Sequence, residues 1–429
     1  MINKFLNTSK NNVSKPILVI ANTSWYLFNF RLNLMLNLKS LGYDIIAVAP
    51  PDHYSERLAA HGIRYVPMPM DNKGTHPIKD SILIFQLTKL FFKLKPSCIL
   101  SYTPKCNIYG ALAAGLLNIP IINNVSGLGT AFITENLVTR IVKGLYKISL
   151  KKSAKIFFQN KDDLALFINM GLVKAELTDL LPGSGVDVNR FTPVEDSFQH
   201  STFVFLLVAR MLKDKGIVEF IDATRLLKKQ YPHIECQLLG FLDAKNSSAI
   251  SSEEMRAWVN EGVVKYLGAS DSVIDFLRQA DCVVLPSYRE GTPRSLLEAA
   301  SVAKPIITTN AVGCREVVDD GVNGFLCKPR SVIDLKAKME KMVLLPVAER
   351  LEMGLNGRKK VLNQFNEQIV IDRYINTIEN IYNVQTPYRA RPFLNRSKRR
   401  GERRNQNITV AVENRRKADR RENSPNLSQ

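Results

Sequence analysis

Asp281-Cys-Val-Val-Leu285 runs directly into Pro286-Ser-Tyr-Arg-Glu290-Gly-Thr-Pro293-Arg-Ser-Leu-Leu-Glu298. A short apolar run without polar alternation is a strand buried on both faces, as in a parallel sheet covered by helices. The Gly-Thr-Pro punctuation ends the loop and opens a helix, with Thr292 as the expected N-cap and Pro293 at the first helical position. The same strand–loop–helix unit recurs on both sides. Downstream and upstream in this half lie strands Phe203 to Val208, Glu235 to Leu239 and Pro305 to Thr308, with a helix from Gly216 to Tyr231. Nearer the start are strands Pro16 to Ala21, Asp44 to Ala49, Ser97 to Leu100 and Pro120 to Asn123, with a helix over Asn29 to Leu41 closed by Gly42. Strand–helix alternation of this kind builds a doubly wound parallel sheet. It restarts after Pro182, so two consecutive α/β domains are expected, joined near residues 183–200. Glu367 to Tyr382 is expected as a last long amphipathic helix.

The chain has 429 residues and a formal charge of +19, unevenly placed. Residues 1–185 carry 21 basic and 10 acidic side chains, residues 186–388 carry 25 and 26, and residues 389–429 carry 13 and 4. The middle is neutral and the excess sits at the two ends. With 45% apolar residues the chain can bury a core, which excludes disorder throughout. From Pro387 apolar residues almost vanish, and a weak repeat of Asn-Arg and Arg-Arg pairs marks a basic tail expected to be disordered. The six cysteines (Cys98, Cys106, Cys236, Cys282, Cys314, Cys327) are scattered without a C-x-x-C, as reduced core thiols are. The five histidines form no cluster with metal-ligand spacing. Met1 to Lys15 lacks the apolar core of a secretion signal, and the longest apolar stretch, Ile108 to Ile122, is too short to span a bilayer. A cytoplasmic or peripheral membrane protein is expected.

Chemistry concentrates around the opening stretch. Glu290 falls in the loop and Glu298 about a turn and a half into the helix, whose free backbone N–H groups attract phosphate. One carboxylate can grip a ribose diol and the other the sugar hydroxyls beside the phosphates. The same spacing also suits a capped surface helix with two solvated acids. At the first strand of this half, Val208-Ala-Arg210-Met-Leu-Lys-Asp-Lys215-Gly216 puts two cations just beyond a strand's carboxyl end, where parallel α/β sheets bind ligands. Arg chelates phosphate with its fork and Lys adds a point charge, although an ordinary basic loop has the same composition.

Arg210…Lys215-Gly216, Glu290…Glu298, Gly313…Glu316 and Gly321…Gly324 occur in that order. With them the chain resembles glycosyltransferase family 4 over residues 16–384, most strongly over 203–330. In Asn22-Thr-Ser-Trp-Tyr26, Thr103-Pro-Lys105, Ser126-Gly-Leu-Gly129, Leu239-Gly-Phe-Leu-Asp243 and Arg289-Glu-Gly-Thr-Pro-Arg294-Ser it is similar to bacterial enzymes that extend undecaprenyl-diphosphate-linked sugars, and particularly to a group that adds N-acetylgalactosamine to lipid-linked diacetylbacillosamine. The resemblance implies a GT-B fold: an α/β protein of two facing Rossmann-like domains, with a C-terminal helix returning to the first. The expected division is 1–185 for the acceptor, 186–366 for the nucleotide-sugar donor, 367–386 for the cross-over helix and 387–429 for the tail. It implies retaining transfer of an N-acetylhexosamine from a UDP-sugar to a lipid-diphosphate-linked saccharide, with no cofactor and no metal. Arg210 and Lys215 would then neutralise the donor diphosphate, Glu290 would bind the transferred sugar and Glu298 the ribose. The backbone of Gly291, Thr292, Pro293 and Arg294 would complete the phosphate cradle, and Leu267 and Gly268 would frame the uracil. Two departures fall in the first domain. The Gly-Gly common after the first strand is absent, and Ser126 stands where many members carry a histidine, before Gly127 and Gly129.

On the acceptor side, Trp25, Tyr26, Phe28 and Phe30 beside Arg31 suit either an acceptor groove or the core, and the groove is the expectation for Trp25 and Tyr26. Arg140, Lys143, Lys147 and Lys151 fall on one stripe of a helix beside Val138, Ile141, Val142, Leu145 and Ile148, and Lys89, Lys93 and Lys95 form a second cluster. A basic amphipathic helix suits an anionic inner-membrane surface; a solvated lysine face has the same pattern. The tail holds no aromatic residue after Phe393, so specific nucleic-acid binding is not expected. Two competing classes remain in view. A UDP-sugar epimerase of similar fold would need acid/base side chains that the sequence does not supply as a set. A non-catalytic basic adaptor would leave the Arg210–Lys215 and Glu290–Glu298 constellation without a role.

Overall fold

Ile17, Leu18, Val19 and Ile20 have no exposed surface, because helices cover both faces of the sheet they belong to. The computed structural model describes residues 15–70, 76–128, 137–194, 202–242, 246 and 248–385. In chain order the first half contains β1 (Ile17–Ile20), α1 (Ser24–Ser40), β2 (Ile45–Ala49), α2 (His53–Ala60), β3 (Arg64–Pro67), α3 (Pro77–Leu94), β4 (Cys98–Tyr102), α4 (Ala111–Leu116), β5 (Ile121–Val125), α5 (Leu137–Ser149), β6 (Lys155–Phe158), α6 (Lys161–Asn169) and β7 (Thr178–Leu180). The second half contains β8 (Val204–Val208), α7 (Ile217–Lys228), β9 (Glu235–Leu239), α8 (Ser252–Asn260), β10 (Lys265–Tyr266), α9 (Val273–Gln279), β11 (Cys282–Leu285), α10 (Arg294–Ser301), β12 (Ile306–Thr309) and β13 (Gly324–Cys327). Three helices close the chain: α11 (Val332–Leu344), α12 (Val347–Gln364) and α13 (Glu367–Gln385).

Two parallel sheets result, ordered β3-β2-β1-β4-β5-β6-β7 and β10-β9-β8-β11-β12-β13. Each reverses direction of growth once, between β1 and β4 in the first sheet and between β8 and β11 in the second. At such a switch point the two adjoining loops diverge and leave a crevice beyond the strand ends. Up to Ile378 the chain forms one compact unit holding both sheets; a second unit begins at Glu379, and its described part is the end of α13. Before that point α13 lies against the first half. Tyr374 is fully buried, packs edge-on to Phe157, and hydrogen-bonds with Asn124 at 2.9 Å. The expected pair of doubly wound domains with a returning helix is therefore the architecture observed. The basic tail after residue 386 lies outside the described residues.

Local details differ from expectation in two instructive places. Helix α1 starts at Ser24, five residues before the expected Asn29, because Thr23 caps it by accepting a 3.1 Å bond from the Tyr26 amide. Trp25 and Tyr26 thus stand on the helix's first turn. Helix α10 is not capped by Thr292. Pro293 occupies the cap position without a side-chain cap bond, and the Thr292 hydroxyl instead donates to the Gln159 carbonyl at 2.9 Å.

Candidate active site

Loops at the switch point of the second sheet supply most of one cleft. The segment after β8 carries Arg210 and ends in a single turn, Lys213–Lys215, closed by Gly216. Gly216 adopts φ +73°, and a side chain there would strike the Pro286 carbonyl. That close approach packs the Lys215 loop against the one after β11. Lys215 and Glu290 form a direct ion pair across the two loops, with side chains 19% and 15% exposed. Further along the chain, Arg294 and Glu298 pair on α10 at 2.9 Å, both 13% exposed. Burial raises the Glu298 pKa above the usual carboxylate range, against the opposing pull of the Arg294 guanidinium. Arg210 and Arg190 also line the cleft, and neither has an ion-pair partner among the described residues.

The cleft encloses about 280 Å³. Its far wall comes from the first half: Trp25, Asn29 and Phe30 project from α1. Trp25 meets Phe241 of the second half edge-on at 6.4 Å, and the Arg294 guanidinium lies over the Phe30 ring at 5.1 Å. One rim is latched. Tyr54 and Arg57 on α2 both bind Asp271, in the loop after β10, the Arg57 contact measuring 2.7 Å. The Tyr54 hydroxyl, then Arg57, lowers the Asp271 pKa.

At the cleft's base the halves are stapled. Asn160 donates to the Gly291 carbonyl at 2.9 Å, Arg315 reaches Asp162 at 2.8 Å, and Arg289 pairs with buried Asp163. Gly291 is required here because a side chain would collide with the Ser126 carbonyl and the Gln159 side chain.

Of the residues singled out from sequence, Arg210, Lys215, Glu290, Pro293, Arg294, Glu298 and Trp25 line one cleft. Gly291 and Thr292 lie at its stapled base, against Ser126 and Gly127. Leu267 and Gly268 are spent on backbone bonds to Leu238 and Gly240, and the wall itself is Ala269, Ser270 and Asp271. Tyr26 is turned away into the first half. Its hydroxyl accepts a 3.1 Å bond from fully buried Arg31, whose guanidinium lies 4.2 Å from the Tyr102 ring centre. Gly129 lies outside the described residues. Arg140, Lys147 and Lys151 are exposed, Lys143 half-buried, and none of them lines the cleft. Residues that sequence alone missed are Arg190, Asn29 and Asp271; Phe30, weighed there between groove and core, lines the cleft, and so does Phe241, which had no assigned role. Among the described residues no group of three or more His, Cys, Asp or Glu is placed to hold a metal ion.

Two facing Rossmann-like sheets with a charged cleft between them are the GT-B arrangement. Residues 16–160 match the family described as glycosyl transferase 4-like, and residues 191–360 match glycosyl transferases group 1. The chain belongs to these glycosyltransferases and is a hexosyltransferase. It is 29% identical over 373 residues, 83% of its length and 96% of the relative's, to the N,N'-diacetylbacillosaminyl-diphospho-undecaprenol alpha-1,3-N-acetylgalactosaminyltransferase of Campylobacter jejuni. It is 24% identical over 322 residues to the UDP-Gal:alpha-D-GlcNAc-diphosphoundecaprenol alpha-1,3-galactosyltransferase of Escherichia coli, covering 71% of this chain and 80% of the relative. Among solved structures, HepE of Anabaena in complex with UDP-glucose aligns with a TM-score of 0.70 at 18% identity, covering 85% of this chain and 99% of the other.

Proposed function

We propose that the protein moves an N-acetylhexosamine, with N-acetylgalactosamine the preferred sugar, from a UDP-sugar to an undecaprenyl-diphosphate-linked saccharide, retaining the anomeric configuration and requiring no metal. The observation that carries this reading is the arrangement in the cleft. Lys215 and Glu290 are paired and Arg294 and Glu298 are paired, while among the described residues Arg210 and Arg190 form no direct ion pair, Arg190 acting on Glu298 and Glu367 only through space. A diphosphate diester carries two negative charges, and two arginines without a direct ion pair, beside a lysine, are the complement it needs.

In this reading residues 186–366 hold the donor. The ribose hydroxyls donate to Glu298, which Arg294 keeps oriented. Arg210 and Lys215 contact the diphosphate, and the first amides of α10, which have no intrahelical acceptor, face it as well. Ala269 to Asp271, with Leu267 and Gly268 behind them, frame the uracil. Glu290 accepts from the hydroxyls of the transferred sugar, and its bond to Lys215 links sugar position to phosphate position. As the glycosidic bond to the diphosphate breaks, negative charge grows on the departing oxygen. Cations and amides already aimed at it stabilise that charge without reorganising. The departing oxygen takes the acceptor hydroxyl's proton on the same face, so no separate base is assigned. Trp25, Asn29 and Phe30 offer the acceptor saccharide a partly aromatic wall, while Ser126 and Gly127 fix the base of the cleft beneath it.

Residues 1–185 would work at the cytoplasmic face of the inner membrane, where the lipid-linked acceptor resides. In support, Arg140, Lys147 and Lys151 share one exposed face with Ile141 and Ile148, which are 48% and 67% exposed. No helix among the described residues is long and apolar enough to cross a membrane. The testing experiment measures UDP release from UDP-N-acetylgalactosamine and UDP-N-acetylglucosamine, with and without a lipid-diphosphate saccharide, and assigns the new linkage by NMR. An α-linked product, formed only with acceptor and unaffected by chelator, is expected. Acceptor-independent interconversion of the sugars would sink the transferase reading.

A further inference from the structure

Helix α3 is apolar on both sides. Its inward face is Asp80, Leu83, Leu87 and Phe91, all buried at helical spacing. Its outward face repeats the same spacing with Ile78, Ile82, Phe85, Lys89 and Phe92. The four apolar residues there are 68%, 49%, 69% and 67% exposed. Scattered exposed leucines need no explanation, but four large side chains in one row, two of them phenylalanines, mark an interaction surface.

The surrounding charge says which kind. From His76 to Lys161 the sequence holds twelve Lys and Arg against two acids, Asp80 and Glu135. Asp80 is turned inward, where it binds Lys105 at 3.0 Å, the Tyr109 hydroxyl at 2.7 Å and the His76 amide at 3.0 Å. The charges α3 shows to solvent are therefore lysines, Lys79, Lys89 and Lys93, with Lys95 just beyond its end. A second apolar row, Val347, Leu351, Leu355 and Leu362 on α12, offers a control within the same molecule. There Glu349 and Glu352 alternate with Arg350, Arg358, Lys359 and Lys360, a mixed pattern that anionic lipid does not select. Basic residues flanking an apolar row with aromatic side chains are what an interfacial helix requires. The lysines engage headgroups while the apolar side chains enter the acyl boundary.

We propose that the outer face of α3 is a membrane-inserting edge, with Ile78, Ile82, Phe85 and Phe92 entering an anionic bilayer and Lys89 and Lys93 binding its headgroups. This rests on the reading that the acceptor is lipid-linked, and it assigns insertion to α3, leaving α5 an electrostatic contact.

The experiment uses the full-length chain and phosphatidylglycerol–phosphatidylcholine vesicles with brominated acyl chains. Phe85→Trp and Phe92→Trp should each be quenched well beyond the background of Trp25 and Trp258, and only when phosphatidylglycerol is present. A Phe85→Ser/Phe92→Ser double variant should lose about tenfold in vesicle-bound fraction and in turnover on vesicle-embedded acceptor. It should keep its UDP affinity, showing that it is folded, and its turnover on a short-chain, water-soluble acceptor. No added quenching, or wild-type vesicle binding by the double variant, overturns the proposal. So does concentration-dependent dimerisation that Phe85→Ser/Phe92→Ser abolishes, since α3 would then be covered by a second copy. Failure of the wild-type protein to glycosylate either acceptor would break the functional reading instead, while the quenching still decides the role of α3.

Discussion

The two halves place their strands in the same order around one switch point, yet fill the resulting crevices with opposite chemistry. Between β8 and β11 the loops present Arg210, Lys215, Glu290 and Glu298, and after β1 the chain presents Trp25, Asn29 and Phe30. The backbone supplies a crevice in both cases; the loops decide whether it recognises charge or a sugar face. Net charge runs the other way. The half with the charged crevice is neutral overall, with 25 basic and 26 acidic residues over 186–388, whereas the half with the aromatic wall carries the basic excess. The proposed function assigns recognition of a small charged ligand and attraction to a charged surface to different halves.

The largest effect that would break this division is loss of the charged crevice. Glu290→Ala and Lys215→Ala should each lower kcat at least ~100-fold, the scale of removing a transition-state stabilising group; undiminished turnover in steady-state assays would remove both from the site. Next, Arg210→Ala should weaken UDP binding roughly 10- to 100-fold, a charge-assisted contact of about 1.5–3 kcal/mol, with little change in the acceptor KM. Trp25→Ala should do the reverse, raising the acceptor KM about 10-fold while the UDP Kd measured by calorimetry stays put. An equal loss in both would mean the two walls of the cleft are not separate in function.

A smaller effect is expected with pH. Glu298 has a raised pKa, chiefly from burial, and in the proposed function accepts the ribose hydroxyls as a carboxylate. Acidification therefore protonates it sooner than an ordinary carboxylate, and UDP-sugar affinity should fall on the acid side. Glu298→Gln should bind more weakly at neutral pH and lose most of that dependence. Smallest is the latch: Asp271→Asn should raise the donor KM by no more than a few-fold, because its partners are exposed pairs. The Asp271 pKa is depressed, so the latch is present above the free-carboxylate pKa and is lost as pH falls through the folded value.

Much of this was legible in the chain. The runs at Ile17–Ile20 and Cys282–Leu285 announce strands because both their faces are buried, leaving no polar alternation to confuse them. Glu290 and Glu298 could be found because loop and helix are contiguous in sequence. The start of α1 was hidden, since Trp25, Tyr26, Phe28 and Phe30 are indifferent helix formers and the Thr23 cap leaves only a weak local signal. Contacts between the halves leave no signal of any kind. Tyr54 and Asp271 are 217 positions apart, and Thr292 and Gln159 133, so neither the latch nor the staple has a periodicity to detect. Thr292 looked like a cap for the same reason: its sequence neighbours favour one, and its real partner is in the other half.

The central claim is that the crevice between β8 and β11 holds the donor through its diphosphate. Its most direct test compares the affinities of UDP and uridine by calorimetry for the wild-type chain and for Arg210→Ala and Lys215→Ala. The wild-type protein should bind UDP at least ~100-fold more tightly than uridine, and each variant should lose most of that difference while keeping its uridine affinity. Variants that preserve the full UDP preference would contradict the account.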